Sequence, residues 1–294
     1  MSLKIAIAIA TAGRREVLSE TISVMAQQSR MADELLICPA KQDDLDLQCL
    51  DGYPGQFRVC HGPVGLTSQR NALIEASDAD VIVFFDDDFL PSRDYLQEIE
   101  ALFMANENVV VATGKVLADG ITGPGLGYDE GMQILEGAGR NMESSLLRPT
   151  YNGYGCNMAV RMKPIREHDL RFDERLPAYG WLEDLDFSRQ IAMHGEIVDV
   201  DRLRGVHLGT KRSGRSPGKR LGYSQVANPV YLARKGTMHW KRALIQIGRN
   251  IVANLTRSVA PEPWVDRRGR LVGNLRAIGD LAVGKISPEK ALKV

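Results

Sequence analysis

The sequence predicts an α/β fold, a Rossmann-like, mostly parallel mixed sheet flanked by helices, with a helical segment behind it. Three observations carry that reading. Short, β-branched apolar runs alternate with amphipathic stretches from residue 5 to residue 88, the signature of strands joined by helical crossovers. One run, Val81-Ile82-Val83-Phe84-Phe85, passes directly into Asp86-Asp87-Asp88, and open α/β sheets bind ligands at the carboxyl ends of their strands. From about Tyr231 onward the composition turns basic and helical.

The elements follow in order. Ile5 to Ala10 reads as a buried parallel strand, closed by the polar turn Thr11-Ala12-Gly13-Arg14-Arg15. Glu16 to Gln28 is an amphipathic helix with Val17, Ile22, Val24 and Met25 among its apolar positions. Glu34 to Cys38 is a second strand ended by Pro39, residues 40–56 are irregular and acid-rich, and Phe57 to Cys60 is a short strand. After the turn Gly62-Pro63-Val64-Gly65, Thr67 to Ser77 is a helix with Thr67 as its cap. Val81 to Phe85 is the strand that delivers the aspartates. Residues 119–150 are glycine-rich and read as loops or short strands shaping a pocket. Phe172 to Gly180 is a loop, Leu182 to His194 a helix capped by Gly195, and Ile197 to Val200 a strand. Residues 209–222, with Lys211, Arg212, Arg215, Lys219 and Arg220, have the composition of a mobile basic loop.

The chain of 294 residues suits a catalytic domain over 1–230 with a basic helical extension over 231–294. With 44% hydrophobic and 25% charged residues it is globular, which excludes disordered and fibrous classes. Lys+Arg and Asp+Glu both number 37, so the chain has no charge surplus for general nucleic-acid binding. Cys38, Cys49, Cys60 and Cys156 form no C-x-x-C pair and read as reduced thiols of a cytoplasmic protein. No apolar run reaches the ~18 residues of a membrane span.

Two acidic clusters carry the chemistry. Along an extended chain Asp86 and Asp88 share one side and Asp87 takes the other. Two carboxylates on one side suit a hard divalent cation and a ribose hydroxyl. The second cluster, Glu183-Asp184-Leu185-Asp186, opens a helix, where the dipole favours ionised carboxylates. There Asp186 pairs with Arg189 at i,i+3, and Asp184, left without a local partner, is a candidate general base.

Taken together and in order, these segments resemble the family 2 glycosyltransferases, which have a GT-A fold. The matching pieces are Ile7 to Arg14, Gly65 to Asn71, Phe84 to Asp88, Gly155 to Arg161, Phe172-Asp173-Glu174, and Glu183 to Asp186 with Arg189, completed by Gly195 and His207. The resemblance implies inverting transfer of a sugar from a nucleoside diphosphate donor, with Mn²⁺ or Mg²⁺ as cofactor. It implies that Thr11 and Arg14 meet the nucleotide, that Arg70 is the nucleotide-side arginine, and that Asp86 is the ribose-side carboxylate, with Asp87 beside it. Asp88 becomes the metal ligand, His207 a histidine near the metal or diphosphate, and Asp184 the catalytic base. One departure concerns the base-reading turn. The family's second strand ends in an Asp-Asp-Gly-Ser type sequence, and here it ends Ile37-Cys38-Pro39-Ala40. The nearest acids are Asp43 and Asp44, of which Asp44 is assigned to the nucleotide. A UDP-sugar is the favoured donor over guanosine or thymidine diphosphate sugars.

From Arg234 to Val294 thirteen Lys and Arg stand against four Asp and Glu. A basic amphipathic segment with a tryptophan either lies on an anionic membrane or packs on the catalytic domain. The resemblance adds that many relatives act on lipid-linked saccharides, so the expected acceptor is a saccharide, on a lipid-linked polysaccharide precursor, at the inner face of the membrane. The competing readings are a nucleotidyltransferase, for which Gly13-Arg14-Arg15 is a poor phosphate loop, and an inactive sugar-nucleotide binding protein.

Overall fold

The computed structural model describes residues 2–139, 146–211 and 217–294. In chain order its elements are β1 (Ile5–Thr11), α1 (Arg15–Met25), β2 (Glu34–Pro39), β3 (Phe57–Val59), α2 (Leu66–Ala76), β4 (Val81–Asp86), β5 (Phe89–Pro91), α3 (Tyr95–Ala105) and β6 (Val109–Asp119). Then come α4 (Tyr128–Gly137), β7 (Leu147–Pro149), β8 (Asn157–Arg161), α5 (Met162–His168), α6 (Glu183–Ile191), β9 (Glu196–His207), α7 (Gly218–Lys235), α8 (Trp240–Arg257) and α9 (Arg267–Ala282). The sheet runs β3-β2-β1-β4-β8-β6-β9-β5, with β7 on β9. β3, β2, β1 and β4 are parallel; β8 is antiparallel to both β4 and β6, and β6 and β9 pair in parallel. Because β1 lies between β2 and β4, the chain winds both ways from it, and a crevice opens at the carboxyl ends of these strands.

The alternation in β1 explains its central place. Ile5, Ile7 and Ile9 pack into a core with Leu18, Ile22, Phe85 and Tyr95. Ala6 and Ala8, on the other face, meet Leu73, Ile74, Phe84 and Phe187. A strand buried on both faces reads as a continuous apolar run, as the β1 sequence does.

Several expectations need correction. Thr67 does not cap α2: Gly65, at φ 143°, precedes the helix, and the Thr67 hydroxyl donates to the Leu176 carbonyl at 3.4 Å. Gly195 does not cap α6, which ends at Ile191. Gly195 instead sits where a Cβ would collide with the Asn108 carbonyl, and its neighbour Glu196 donates its N–H to that carbonyl. The strand expected over 197–200 is the 12-residue β9. Residues 119–150 hold a helix, α4. Asp186 does not pair with Arg189; it accepts from Lys235, Thr237 and Gln190, while Arg189 stacks on Tyr151. In the basic segment, Lys219 and Arg220 belong to α7 and not to a loop; Arg212 and Arg215 lie outside the described residues.

The C-terminal helices form a unit of their own. Residue 230 falls inside α7, whose 18 residues run on across it. α7 and α9 approach at backbone distance, since a Cβ on Gly222 would strike the Arg270 backbone and one on Gly273 the backbone of Lys219 and Tyr223. Asn254 and Asn274, both fully buried, share hydrogen bonds with each other and with Gln225. This unit clamps the part that carries the sheet. Asn228 donates to the Trp181 carbonyl, and Lys235 bridges Asp173 and Asp186 at 2.6 and 2.7 Å.

Candidate active site

The crevice at the end of β1 and β4 holds a cavity of about 500 Å³, lined by Thr11, Arg14, Gln69 and Asp86 from the sheet side and by Tyr179, Arg220 and Leu292 from beyond it. That volume lies in the range of small-molecule sites. The triple aspartate behaves as strand geometry requires. Asp87 is fully buried and turns inward, accepting from the Thr11 hydroxyl at 2.7 Å and pairing with Arg14 at 2.9 Å. Asp86 and Asp88 turn the other way and meet His207, with one ligand atom of each within 4.8 Å of the others. Asp87 does not line the cavity; it positions Thr11 and Arg14, which do.

Asp88 is fully buried and receives the Arg14 guanidinium at 2.9 Å and the Thr210 N–H at 2.8 Å, both on Oδ2. Its Oδ1 accepts no hydrogen bond of good geometry among the described residues and lies 3.3 Å from His207 Nε2. On the far side of the ring, His207 Nδ1 meets Asp119 at 2.9 Å, and Asp119 also accepts from the Tyr154 hydroxyl. Burial opposes a charge on His207, but the Asp119 and Asp88 contacts outweigh it and push its pKa up to about 10. Burial likewise opposes the Asp88 carboxylate, and the His207 and Arg14 contacts overcome it and hold its pKa below the usual range. A carboxylate pair with an imidazole whose other nitrogen is fixed by a carboxylate is a donor set that fits a divalent cation.

Arg70 joins this cluster to the second one. Only 2% exposed, it donates to Asp86 at 3.1 Å, to the Gly155 carbonyl at 2.7 Å and to Glu183 at 2.7 Å, with Phe84 and Phe172 against its plane. It makes no helix bridge to Glu75, which faces Arg171. Glu183 is therefore buried and occupied, and burial together with Asp184 pushes its pKa up to about 8. Asp184 is half-buried. Its two oxygens accept from the Gly155 and Leu185 N–H groups at 3.0 and 2.7 Å, and burial raises its pKa above the ordinary aspartate value despite them.

The backbone leading to α6 is strained. Ala178 and Leu182 have φ of 57° and 75°, a conformation costing on the order of 1–3 kcal/mol each for a residue with a Cβ. The Leu66 N–H holds Ala178 and Asn228 of α7 holds Trp181, so neighbouring elements impose the turn that aims the acids of α6.

Asp44 stands apart. Its buried carboxylate accepts from the Lys41 N–H in a short 3₁₀ turn, and it does not line the cavity. The end of β2 is closed instead by Gln69, whose amide donates to the Thr11 and Cys38 carbonyls. Asp119, Tyr154 and Lys235 are participants that the motifs did not mark, and Gln69 lay inside the Gly65 to Asn71 segment without an assigned role. Asp119 ends β6, but six residues including Thr113, Gly114 and Lys115 separate it from the apolar run Val109-Val110-Val111-Ala112, so no local pattern like that of β4 pointed to it.

Known proteins place this geometry. Among solved structures, residues 1–349 of TarS from S. aureus align with TM-score 0.58 and 13% identity, covering 97% of this chain and 83% of that one. TarS has also been solved with UDP-GlcNAc and with UDP. The mannosyltransferase PcManGT from Pyrobaculum calidifontis, in complex with GDP-Man and Mn²⁺, aligns with TM-score 0.57 and 14% identity, covering 97% and 80%. Against a longer TarS chain the alignment spans 40% of that chain's length, at TM-score 0.51 and 15% identity, and covers 77% of this one. No curated protein matches by sequence. These likenesses establish the GT-A fold, and the sequence model described as "Glycosyl transferase family 2" matches residues 6–169, from β1 through α5, with the aspartates of β4 inside it. A match over more than half of the chain, on the part that builds the crevice, settles the family: the chain belongs to glycosyl transferase family 2.

Proposed function

We propose that this glycosyltransferase moves a sugar from a nucleoside diphosphate donor to a saccharide hydroxyl with inversion, on a lipid-linked polysaccharide precursor at the cytoplasmic face of a membrane. The observation that supports it best is Arg70, one buried guanidinium that ties Asp86 to Glu183 and so fixes the two acidic clusters in one site. In this reading Thr11, Arg14, Asp86 and Gln69 form the donor wall, and Arg220 faces the diphosphate. Arg220 lines the cavity from the first turn of α7 and makes no ion pair among the described residues, so its charge is available to phosphate oxygens. Asp86, Asp88 and His207 would hold Mn²⁺ or Mg²⁺, which neutralises charge developing on the leaving diphosphate when bound. Asp184 takes the proton from the acceptor hydroxyl as that oxygen attacks the anomeric carbon opposite the diphosphate, and a single displacement inverts the centre. Glu183, spent on Arg70, holds that guanidinium in place. A UDP-sugar is favoured, in line with the UDP and UDP-GlcNAc complexes of TarS.

Calorimetry with UDP and GDP, with and without Mn²⁺, tests the donor site. Binding of one nucleotide is expected to weaken at least tenfold without the cation, and Asp88→Asn should remove that dependence. Unchanged affinity and unchanged metal dependence in Asp88→Asn would remove the metal from this cluster. At about 100 times its dissociation constant the true nucleotide should also stabilise the fold by about 2.7 kcal/mol.

A further inference from the structure

The outer surface of α8 and α9 is built unlike the rest of the molecule. In α8 only Ala243 and Asn254 are buried, while Leu244, Val252 and Leu255 stand 62%, 59% and 56% exposed. Trp240, Leu244 and Leu255, all exposed, recur at helical spacing and form one stripe, beside Ile247 and Ile251, which pack inward. In α9, Leu271, Leu275 and Ile278 do the same, with Leu275 60% exposed. The buried sides of both helices meet α7 through the shared Asn254, Gln225 and Asn274 bonds, and Arg268 of α9 donates to the Ser258 carbonyl at the end of α8. Both helices of the unit thus keep an exposed apolar stripe apart from the side that meets α7. The connector between them adds exposed Val259 and Trp264. Two of the chain's three tryptophans thus stand partly exposed on this unit. An apolar surface of this extent marks an interaction site.

The charges say what covers it. α8 carries Lys241, Arg242, Arg249 and Arg257 and no acidic residue. Lys241, Arg249, Arg276 and Lys285 are exposed and make no ion pair among the described residues. A second copy docked on this face by a two-fold axis would set these cations against one another. An anionic lipid surface satisfies both features, taking leucines and tryptophans into the acyl boundary and lysines and arginines at the headgroups. No helix among the described residues is long and apolar enough to cross a membrane, so the helices would lie in the interface.

We propose that α8, α9 and the connector between them form a monotopic docking surface for anionic phospholipid. The same helical unit supplies Arg220 and Leu292 to the cavity, so docking would hold the cleft in a fixed relation to the lipid surface. The inference goes beyond the reading of the cleft, and lipid binding needs neither sugar nor metal.

Flotation of the full chain with vesicles of phosphatidylglycerol and phosphatidylcholine, against phosphatidylcholine alone, tests it. The protein is expected to float with the anionic vesicles, at least tenfold less after Leu244→Glu with Leu275→Glu, and less in high salt. Lys241→Gln with Arg249→Gln, which leaves the stripe intact, should also weaken anionic binding. Tryptophan emission should shift to the blue on binding, and the shift should shrink in Trp240→Phe. Nucleotide binding by each variant checks that the cleft is intact. Failure to float with anionic vesicles, equal flotation by the Leu244→Glu, Leu275→Glu chain, or a stable dimer that this double substitution dissolves would each overturn the proposal and leave the donor-site experiment standing.

Discussion

In β1 every residue from Ile5 to Ile9 is buried, whereas in α8, more than twice as long, only Ala243 and Asn254 are. The sheet buries isoleucines, valines and phenylalanines, and its central strands β1 and β4 carry no charged residue before Asp86 at the carboxyl end. The helical unit has a smaller apolar core, Tyr223, Val226, Ala227, Val230, Ala277, Ile286 and Ala291, and leaves several leucines outside it. Its closest contacts are made by Gly222, Gly273, Asn254 and Asn274, and many of its leucines face outward. The two arrangements solve different problems. A close-packed apolar sheet holds carboxylates to within tenths of an ångström, which differential stabilisation of a transition state demands. Helices sealed in part by backbone approach and paired amides fill their contact with a small apolar core, and their remaining leucines become available as surface. The parts meet at Asp186, Lys235 and Thr237, where the end of the helical unit holds the helix that carries Asp184.

The strongest test of the sheet side is Asp184→Asn. The substitution keeps the shape and removes the basic lone pair. Turnover should fall by roughly 10²–10⁴-fold while nucleotide affinity stays nearly unchanged. Glu183→Gln should instead disturb Arg70 and weaken both folding and donor binding. Full activity in Asp184→Asn with loss in Glu183→Gln would move the base to Glu183. The pH profile adds a second reading. The base must be ionised and burial raises its pKa, so activity should decline as pH falls through a value above that of an ordinary aspartate. That limb belongs to Glu183 and Asp184 as a pair. A rate that holds constant down to the ordinary aspartate range would count against both acids.

The junction between the two parts is broken by Lys235→Met. It leaves the fully buried Asp186 carboxylate with only the Thr237 hydroxyl and the Gln190 amide. A buried charge stripped of its ionic partner costs about 3 kcal/mol. Denaturant unfolding should show that loss. Turnover should also drop, because α6 and the left-handed turns at Ala178 and Leu182 lose a restraint. If stability falls and turnover holds, the helical unit supports the fold without positioning Asp184.

What could be read from the sequence follows this same division. β1, β2 and β4 were legible because a doubly buried parallel strand needs an unbroken apolar run, and the Asp-x-Asp at the end of β4 was legible because alternation along a strand sorts Asp86 and Asp88 from Asp87. The partners of those residues were not. Asp87 holds Thr11 and Arg14, and Asp119 orients His207, through contacts between segments 73 or more positions apart in sequence, Arg14 and Asp87 being the nearest pair, which no local period encodes. Asp44 looked like a nucleotide ligand because the acid-rich stretch gave no sign that its carboxylate caps its own turn. In the tail, helicity and basic charge were visible, but whether the apolar stripe faced inward depended on Gly222 and Gly273. Only the crossing of α7 and α9 shows that these glycines, and not leucines, form the contact.

Glycine to alanine at two helical positions puts the smallest and most discriminating numbers on that contrast. At Gly222 an added Cβ would strike the Arg270 backbone, which has no flexible end to swing away. The helices must separate, and overpacking of this kind costs about 1–3 kcal/mol. At Gly248, inside α8, nothing among the described residues lies within 4 Å of the added Cβ. There alanine restores helix propensity and restricts the unfolded chain, so Gly248→Ala should stabilise by about 0.5–1 kcal/mol. The same chemical change is thus expected to have opposite signs in two helices of one unit. Denaturant midpoints at constant slope measure both. Gly222→Ala should also loosen Arg220, one turn away or less on the same helix, and raise the nucleotide concentration needed for half-saturation. If both substitutions stabilise, α7 and α9 do not cross at backbone contact, and some other packing must account for why Leu244, Leu255 and Leu275 are left outside.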